Sequence, residues 1–165
     1  MVETLVGFFE GIPKELALVI ISMLPIVELR GGIVAAALMG VDFKVAFPLC
    51  IFGNILPMPI VLLFLDKIFG FLAKFKIFNK FLGWLDRKAE KNKAKVEKAK
   101  FWGLMCFVGI PLPGTGAWTG ALAANAIKMP FRKSFPSICA GVVLAGIIMS
   151  VLCYAVPDVF AKLFL

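Results

Sequence analysis

The chain has 165 residues, of which 61% are hydrophobic and 17% charged, and its formal net charge is +8. Soluble domains contain about 45 to 50% apolar residues and about a quarter charged residues. The apolar residues here lie in long uncharged stretches rather than in short alternating ones. This pattern excludes a water-soluble globule and predicts an all-α integral membrane protein with a single membrane domain.

Composition also restricts the chemistry. The sequence has no histidine, and its four cysteines lie singly in apolar runs without a CxxC spacing. The commonest zinc ligand and the usual neutral-pH general base are therefore missing. The sequence also contains no phosphate-binding loop and no obvious pair of nucleophile and base. We expect neither a metal nor another cofactor, and we do not expect an enzyme.

The first apolar segment, residues 16–41, is interrupted by Glu28 and Arg30. An ionisable residue inside a membrane segment is costly, so both are candidate functional residues. The residues before this segment are acidic rather than basic, unlike the start of a secretory signal. We therefore expect the segment to remain in the mature protein.

The second apolar segment, residues 45–65, contains no charged residue. As a helix it would be about 31 Å long, which is enough to cross a bilayer. Pro57 and Pro59 predict a kink near Asn54. The Asn54 amide is available either to a cavity or to a neighbouring helix.

A basic linker, residues 66–100, follows the second segment. Residues 67–100 contain eleven Lys and Arg against three acidic residues, a difference equal to the whole net charge. The positive-inside rule places this linker in the cytoplasm, and no nucleic-acid recognition motif accompanies it. Residues 67–85 have an apolar stripe flanked by lysines, which predicts a helix on the membrane surface. Residues 86–100 predict a solvated charged helix.

The third apolar segment, residues 101–127, is broken at residues 111–116, and the fourth, residues 134–156, is long enough to span the bilayer. The prolines of the break stop a helix, and its glycines permit left-handed turns. Thr115 is placed to cap a new helix, whose free N–H groups would form an anion site. The alternative is a hinge in which small residues allow close helix packing.

The chain resembles itself when it is shifted by 88 residues. Identical residues then fall at Pro25/Pro113, Gly32/Gly120, Ala35/Ala123, Ala36/Ala124, Phe43/Phe131, Phe47/Phe135, Pro48/Pro136 and Gly53/Gly141. This pattern predicts two copies of one unit, a broken segment followed by a spanning helix. The first copy covers about residues 16–65 and the second about residues 101–157.

Each broken segment is too short for two crossings of about 20 residues each. It therefore either crosses once or returns to its own side as a re-entrant hairpin. The short loop 128–133 carries three basic residues, and the positive-inside rule favours hairpins that keep it in the cytoplasm. The two repeats are then inverted. We expect a multi-pass protein of the inner (plasma) membrane with both termini on the outer side.

Inverted repeats bring their broken elements together near the bilayer midplane, so we expect one polar site there. Arg30 is suited to an anionic group. Burial favours the neutral form of Glu28, so its carboxylate is suited to take up a proton, unless the two residues form only an inert ion pair. The predicted substrate-binding residues are Glu28, Arg30, Gly31, Gly32, Asn54, Pro113, Gly114, Thr115, Gly116, Trp118 and Thr119.

Two motifs, ELRGGI at residues 28–33 and PLPGTGAWTGAL at residues 111–122, closely resemble the bacterial and archaeal small multidrug export protein family. The resemblance covers nearly the whole chain, although Val34 stands where the family is expected to have proline. That family is similar to the DedA/VTT superfamily of lipid-moving proteins. The resemblance implies that Glu28 is a proton-coupling acid, that Arg30 is a phosphate partner, and that residues 115–118 form the opposing wall.

Three functions follow as hypotheses. The first is a translocator, with or without proton coupling, of an amphiphilic anion such as undecaprenyl phosphate. The second is a proton-coupled exporter of cationic drugs, and the third is a scaffold that recruits anionic lipids through its basic helices. Membrane lipids and an amphiphilic substrate are the expected partners. Small-residue faces would also suit a homodimer.

Overall fold

The computed structural model describes residues 11–64, 93–112 and 115–155. These residues form helices and no strand, which confirms the all-α class. The helices are α1 (Lys14–Met23), α2 (Glu28–Leu38), α3 (Phe43–Ile55), α4 (Lys93–Gly109), α5 (Ala117–Ala126) and α6 (Phe131–Ser150), which a π-helical turn (Val151–Ala155) extends. The predicted surface helix 67–85 and both termini lie outside the described residues.

Both predicted spanning segments form helices of spanning length. The first is α3 with its continuation, Phe43–Phe64, and the second is α6 with its π-helical turn, Phe131–Ala155. Only 28% and 44% of their most apolar stretches are buried. Core helices of soluble proteins bury such surface, so this exposed apolar surface suits contact with lipid. A turn at residues 56–57 interrupts the first helix next to Asn54, where the prolines predict a kink.

Both broken segments contain the predicted break. Residues 24–27 separate α1 from α2, and residues 110–116 separate α4 from α5. The first break lies before Glu28 and Arg30, the residues that interrupt the apolar segment, because both already belong to α2. Pro25 has no N–H for continuing α1, whereas the sequence after Val27 starts a new helix at once.

The helix α4 contains no break at residue 100, where the charged linker was expected to give way to the third segment. It runs without interruption from Lys93 to Gly109. Lysine, alanine and glutamate are good helix formers, and no glycine or proline lies between residues 93 and 102. A change from charged to apolar composition alone does not end a helix.

The similarity between the two halves of the sequence extends to the backbone at the ends of α2 and α5. Gly40 and Lys128, which are 88 residues apart, both adopt left-handed conformations, with φ of +67° and +52°. The next residues, Val41 and Met129, each donate a hydrogen bond to the carbonyl five residues back, at 2.9 and 2.8 Å. Both helices therefore end in the same Schellman-type turn.

A lysine from the preceding helix completes each of these ends. Lys14 Nζ donates to the Met39 carbonyl at 2.6 Å, and Lys100 Nζ donates to the Ile127 carbonyl at 2.9 Å. Met39 and Ile127 are again 88 residues apart. Each cation lies at the negative end of a helix dipole, which stabilises the helix end.

Close helix crossings hold each copy together, α1 against α3 and α4 against α6. A Cβ on Gly53 would overlap the Val19 carbonyl of α1, and a Cβ on Gly141 would lie 2.7 Å from the Met105 carbonyl oxygen of α4. Contacts of α6 with α2 and α3 then join the two copies. The position of α2 between the copies brings its first turn to the second break.

Replacing Gly141 with alanine tests this packing. We expect Gly141→Ala to destabilise the protein by about 1–3 kcal/mol, because the new methyl group must displace the backbone of α4. Gly103 is the matched control, since a Cβ there would meet no described atom within 4 Å. Gly103→Ala should leave the thermal unfolding temperature in detergent unchanged or slightly higher. Equal unfolding temperatures for the two variants would contradict the described crossing.

Candidate functional site

Glu28 is the first residue of α2 and is only 7% exposed. Its backbone is left-handed, with φ of +52°. For a residue with a side chain, this conformation costs about 1–2 kcal/mol. In this conformation the Glu28 carboxylate reaches the second break.

The Glu28 carboxylate caps the N-terminus of α5. Oε2 accepts a hydrogen bond from the Ala117 amide at 3.2 Å, and Oε1 accepts one from the Trp118 amide at 3.1 Å. The first amides of a helix have no partner within it, and their dipoles favour a negative charge. Glu28 therefore occupies the anion site that the sequence predicts at this helix start.

Gly116 is required by the position of this carboxylate. A Cβ on Gly116 would overlap the oxygens of Glu28 and lie 2.5 Å from its Cδ. The φ of Gly116 is 161°, an extended conformation that any residue can adopt. The need for glycine is therefore steric, since the Glu28 carboxylate occupies the space that a side chain at residue 116 would fill.

Arg30 binds the opposite side of the same break. Nη1 donates to the Leu112 carbonyl at 2.6 Å. Nη2 lies within hydrogen-bond distance of three more oxygens, those of Val108 (3.3 Å), Ile110 (3.0 Å) and the Thr115 hydroxyl (2.8 Å). These carbonyls belong to the end of α4 and the residues after it, which have no following turn of helix to pair them.

Thr115 does not cap α5, so that prediction is wrong. The N-cap residue is Gly116, without a side-chain hydrogen bond. The Thr115 hydroxyl lies 2.9 Å from the carbonyls of both Ile110 and Leu112, and it accepts from Arg30. It is therefore turned back towards α4, and Glu28 takes the capping role instead.

Glu28 and Arg30 thus bind two helix ends of opposite polarity. The carboxylate lies at the positive N-terminal end of α5, and the guanidinium lies at the negative C-terminal end of α4. Each charge matches the helix dipole that it meets. The first turn of α2 in this way pairs backbone groups on both sides of the break.

A small cavity lies beside Glu28, with a volume of about 10 Å³, close to the least that holds one water molecule. Asn54 of α3 is 1% exposed and lines the cavity. Its Oδ1 is buried and has no hydrogen-bond partner among the described residues. The other lining residues are Leu29, Arg30, Val108, Gly116, Ala117, Val142 and Ala145.

Gly31 and Gly32 are packing positions and do not line this cavity. A Cβ on Gly31 would overlap the Val27 side chain. A Cβ on Gly32 would overlap the Ser22 hydroxyl and lie 3.1 Å from Cys50 Sγ. Both glycines therefore allow α2 to approach its neighbours closely.

The remaining predicted site residues lie around the start of α5. The Trp118 side chain is half-buried, and its Nε1 is buried without a partner among the described residues. The Thr119 hydroxyl lies 3.3 Å from the Gly116 carbonyl, one turn back. Pro113 and Gly114 lie outside the described residues. The structure thus brings Glu28, Arg30, Asn54 and Gly116 together at the cavity.

Comparison with known proteins gives one match. The model of the family described as "Putative small multi-drug export protein" matches residues 28–148. This range begins at Glu28 and includes the second break, the first spanning helix and most of the second. No curated protein and no solved structure matches the chain.

The Glu28 cap can be tested by changing the carboxylate. Glu28→Ala removes both acceptors and should destabilise the protein by about 1–3 kcal/mol for each buried amide left unpaired. Glu28→Gln keeps one acceptor oxygen and should lie between alanine and the wild type in thermal unfolding. Glu15→Gln is the control, an exposed residue in the first turn of α1. Equal stability of Glu28→Ala and the wild type would argue against the cap.

The Arg30 contacts can be tested by hydrogen exchange. A lysine has one nitrogen and cannot replace the fork that reaches four oxygens. Arg30→Lys should therefore speed exchange of the hydrogen-bonded amides of Ile110, Leu112 and Thr115, and Arg30→Ala should speed it further. Arg132→Lys makes the same change at an exposed position of α6 and should have no effect there. Unchanged exchange in Arg30→Ala would show that the break holds its shape without Arg30.

Proposed function

The chain belongs to the small multi-drug export family, and on that premise we propose that it is a membrane transporter of amphiphilic substrates. The favoured cargo is an anionic lipid phosphate such as undecaprenyl phosphate, a choice that follows the resemblance to the DedA/VTT superfamily. The observation that carries the proposal is the helix N-terminus held by the Glu28 carboxylate. A site built for one anionic group is suited to another.

The substrate and Glu28 compete for the same amides in this mechanism. Unpaired N–H groups are costly in a membrane, where water does not replace a lost partner. The carboxylate therefore leaves Ala117 and Trp118 only when another anionic oxygen, such as that of a phosphate, arrives. Protonation of Glu28 favours this exchange, because a neutral carboxyl accepts hydrogen bonds less strongly than a carboxylate. One proton then accompanies one anion.

Arg30 favours a negative headgroup over a positive one, because its charge lies at the same break. It also binds the end of α4 while the amides of α5 change partner. In this mechanism Arg30 both attracts the headgroup and keeps the break in place. The protein in this mechanism binds and moves its substrate without breaking a bond of it.

The proposal includes two re-entrant hairpins of opposite orientation, α1 with α2 and α4 with α5. The repeated helix ends and the two helices of spanning length support it. The basic linker and the loop 128–133 then face the cytoplasm, and the termini lie outside the cell membrane. Single crossings are the competing topology.

Cysteine labelling tests this topology. Residues 42 and 130 are exposed, so cysteines placed there on a Cys-free background are accessible to a membrane-impermeant reagent. Asp42→Cys should react from outside in intact cells, and Pro130→Cys should react only after the membrane is opened. Labelling of both from outside would indicate single crossings and rule out the inverted hairpins.

Lipid transport is tested in proteoliposomes with undecaprenyl phosphate. The wild type should bind and move the lipid, and a pH gradient should change the rate. Glu28→Gln should lose the response to pH, and Arg30→Ala should lower the rate about 10-fold or more, as expected for one lost charge-assisted interaction. Arg132→Ala removes an exposed arginine and is the control. The proposal fails if the wild type neither binds nor moves the lipid and Arg30→Ala changes nothing.

A second candidate function is export of cationic drugs in exchange for protons. The family description, which names multi-drug export, favours it. Glu28 would bind the cation, and Arg30 two residues away would oppose it. Binding of tetraphenylphosphonium that is lost in Glu28→Gln supports this candidate and opposes the lipid anion. Absence of such binding in the wild type rules it out.

A further inference from the structure

Asn54 Oδ1 is a buried acceptor that the contacts described so far leave unexplained. It has no hydrogen-bond partner among the described residues, although Asn54 is 1% exposed. Folded proteins pair the large majority of such atoms, because leaving one unpaired is costly. Asn54 lines the cavity that Glu28 also lines. A hydrogen-bond donor inside this cavity would pair the Asn54 oxygen.

The surroundings disfavour a metal cation. Glu28 and Arg30 are the charged residues of the lining, and the other side chains that face the cavity from α4, α5 and α6 are apolar: Val108, Ala117, Val142 and Ala145. A cation there would meet the positive N-terminal end of α5 and the charge of Arg30. The carboxylate of Glu28 is already bound to two amides. A neutral donor suits the cavity better.

A protonated Glu28 is such a donor. An ionised carboxylate only accepts hydrogen bonds, and Glu28 accepts two, from Ala117 and Trp118. A neutral carboxyl has one carbonyl oxygen that accepts and one hydroxyl that donates. It can therefore keep one amide partner, but its hydroxyl needs an acceptor. Among the described residues, Asn54 Oδ1 is the unpaired acceptor on the same cavity.

We propose that Asn54 is the positioning residue for proton uptake: it accepts the hydrogen bond of the protonated Glu28 carboxyl. The carboxyl then turns into the cavity, keeps one amide of α5 and releases the other. One proton is added to one carboxylate oxygen, and no covalent bond of the protein breaks. This inference rests on the proposed function, and it gives the released amide to the anionic headgroup.

Infrared difference spectroscopy of the full chain in lipid, between acidic and alkaline buffer, tests the inference without a substrate. The carbonyl stretch of a protonated carboxyl should appear on acidification and be lost in Glu28→Gln. In Asn54→Leu the band should shift to higher frequency, because the carboxyl has lost its acceptor. Asn54→Ser keeps an acceptor oxygen and should keep the band closer to its wild-type position. Asn125→Leu makes the same substitution as Asn54→Leu at a buried asparagine of α5 that does not line the cavity, and it should leave the band in place.

The inference is overturned if no Glu28-dependent band forms, or if the band has the same frequency in Asn54→Leu and the wild type. Size-exclusion chromatography shows whether Asn54→Leu has folded. If it has not, the Asn54→Ser spectrum decides, and a band at the frequency of a carboxyl without a hydrogen-bond acceptor also overturns the inference. The outcome is separate from that of the transport assay. Lipid movement with an unshifted Asn54→Leu band removes the role of Asn54 alone. A shifted band without lipid movement supports Asn54 and removes the proposed cargo.

Discussion

Helix ends inside a membrane must find partners within the protein, because lipid offers no hydrogen bonds. In this chain one turn of α2 meets that requirement for both sides of the second break. Glu28 pairs the first amides of α5, and Arg30 pairs carbonyls at the end of α4. The second break therefore depends on the docking of the first repeat. Fold and candidate site share the same hydrogen bonds, so a change at the site is also a change in stability.

The two repeats meet through this interaction while each remains internally similar to the other. Both end their second helix in the same left-handed turn, and a lysine from the preceding helix binds the helix end in each. Both also have a glycine at the crossing of their first and third helices, Gly53 and Gly141. The copies therefore share the features that form the scaffold. The charged residues of the site, Glu28 and Arg30, in contrast have no charged equivalent 88 residues later, where Gly116 and Trp118 stand.

Hydropathy and proline positions predicted the broken segments and the long apolar helices, because both depend on local composition. The 88-residue repeat suggested that Glu28 and the glycine-rich break would lie together, and the structure places them in contact. Partners of individual groups could not be predicted in the same way. Thr115 has the sequence position of a cap, but a carboxylate 87 residues earlier takes that role. Nothing in the sequence indicates the close packing that Gly31 and Gly32 allow. The carbonyls that bind Arg30 were missed as well, although the prolines after α4 signal a helix end without a following turn.

The shift of 88 residues has one more consequence, because it aligns Glu28 with Gly116. These two equivalent positions touch, and a side chain on the second would occupy the space of the first. Two identical subunits, each the length of one repeat, would carry the same residue at both positions. With glutamate the carboxylates would collide, and with glycine no acid would remain. The two positions must therefore carry different residues, which two halves of one polypeptide can do and two identical subunits cannot.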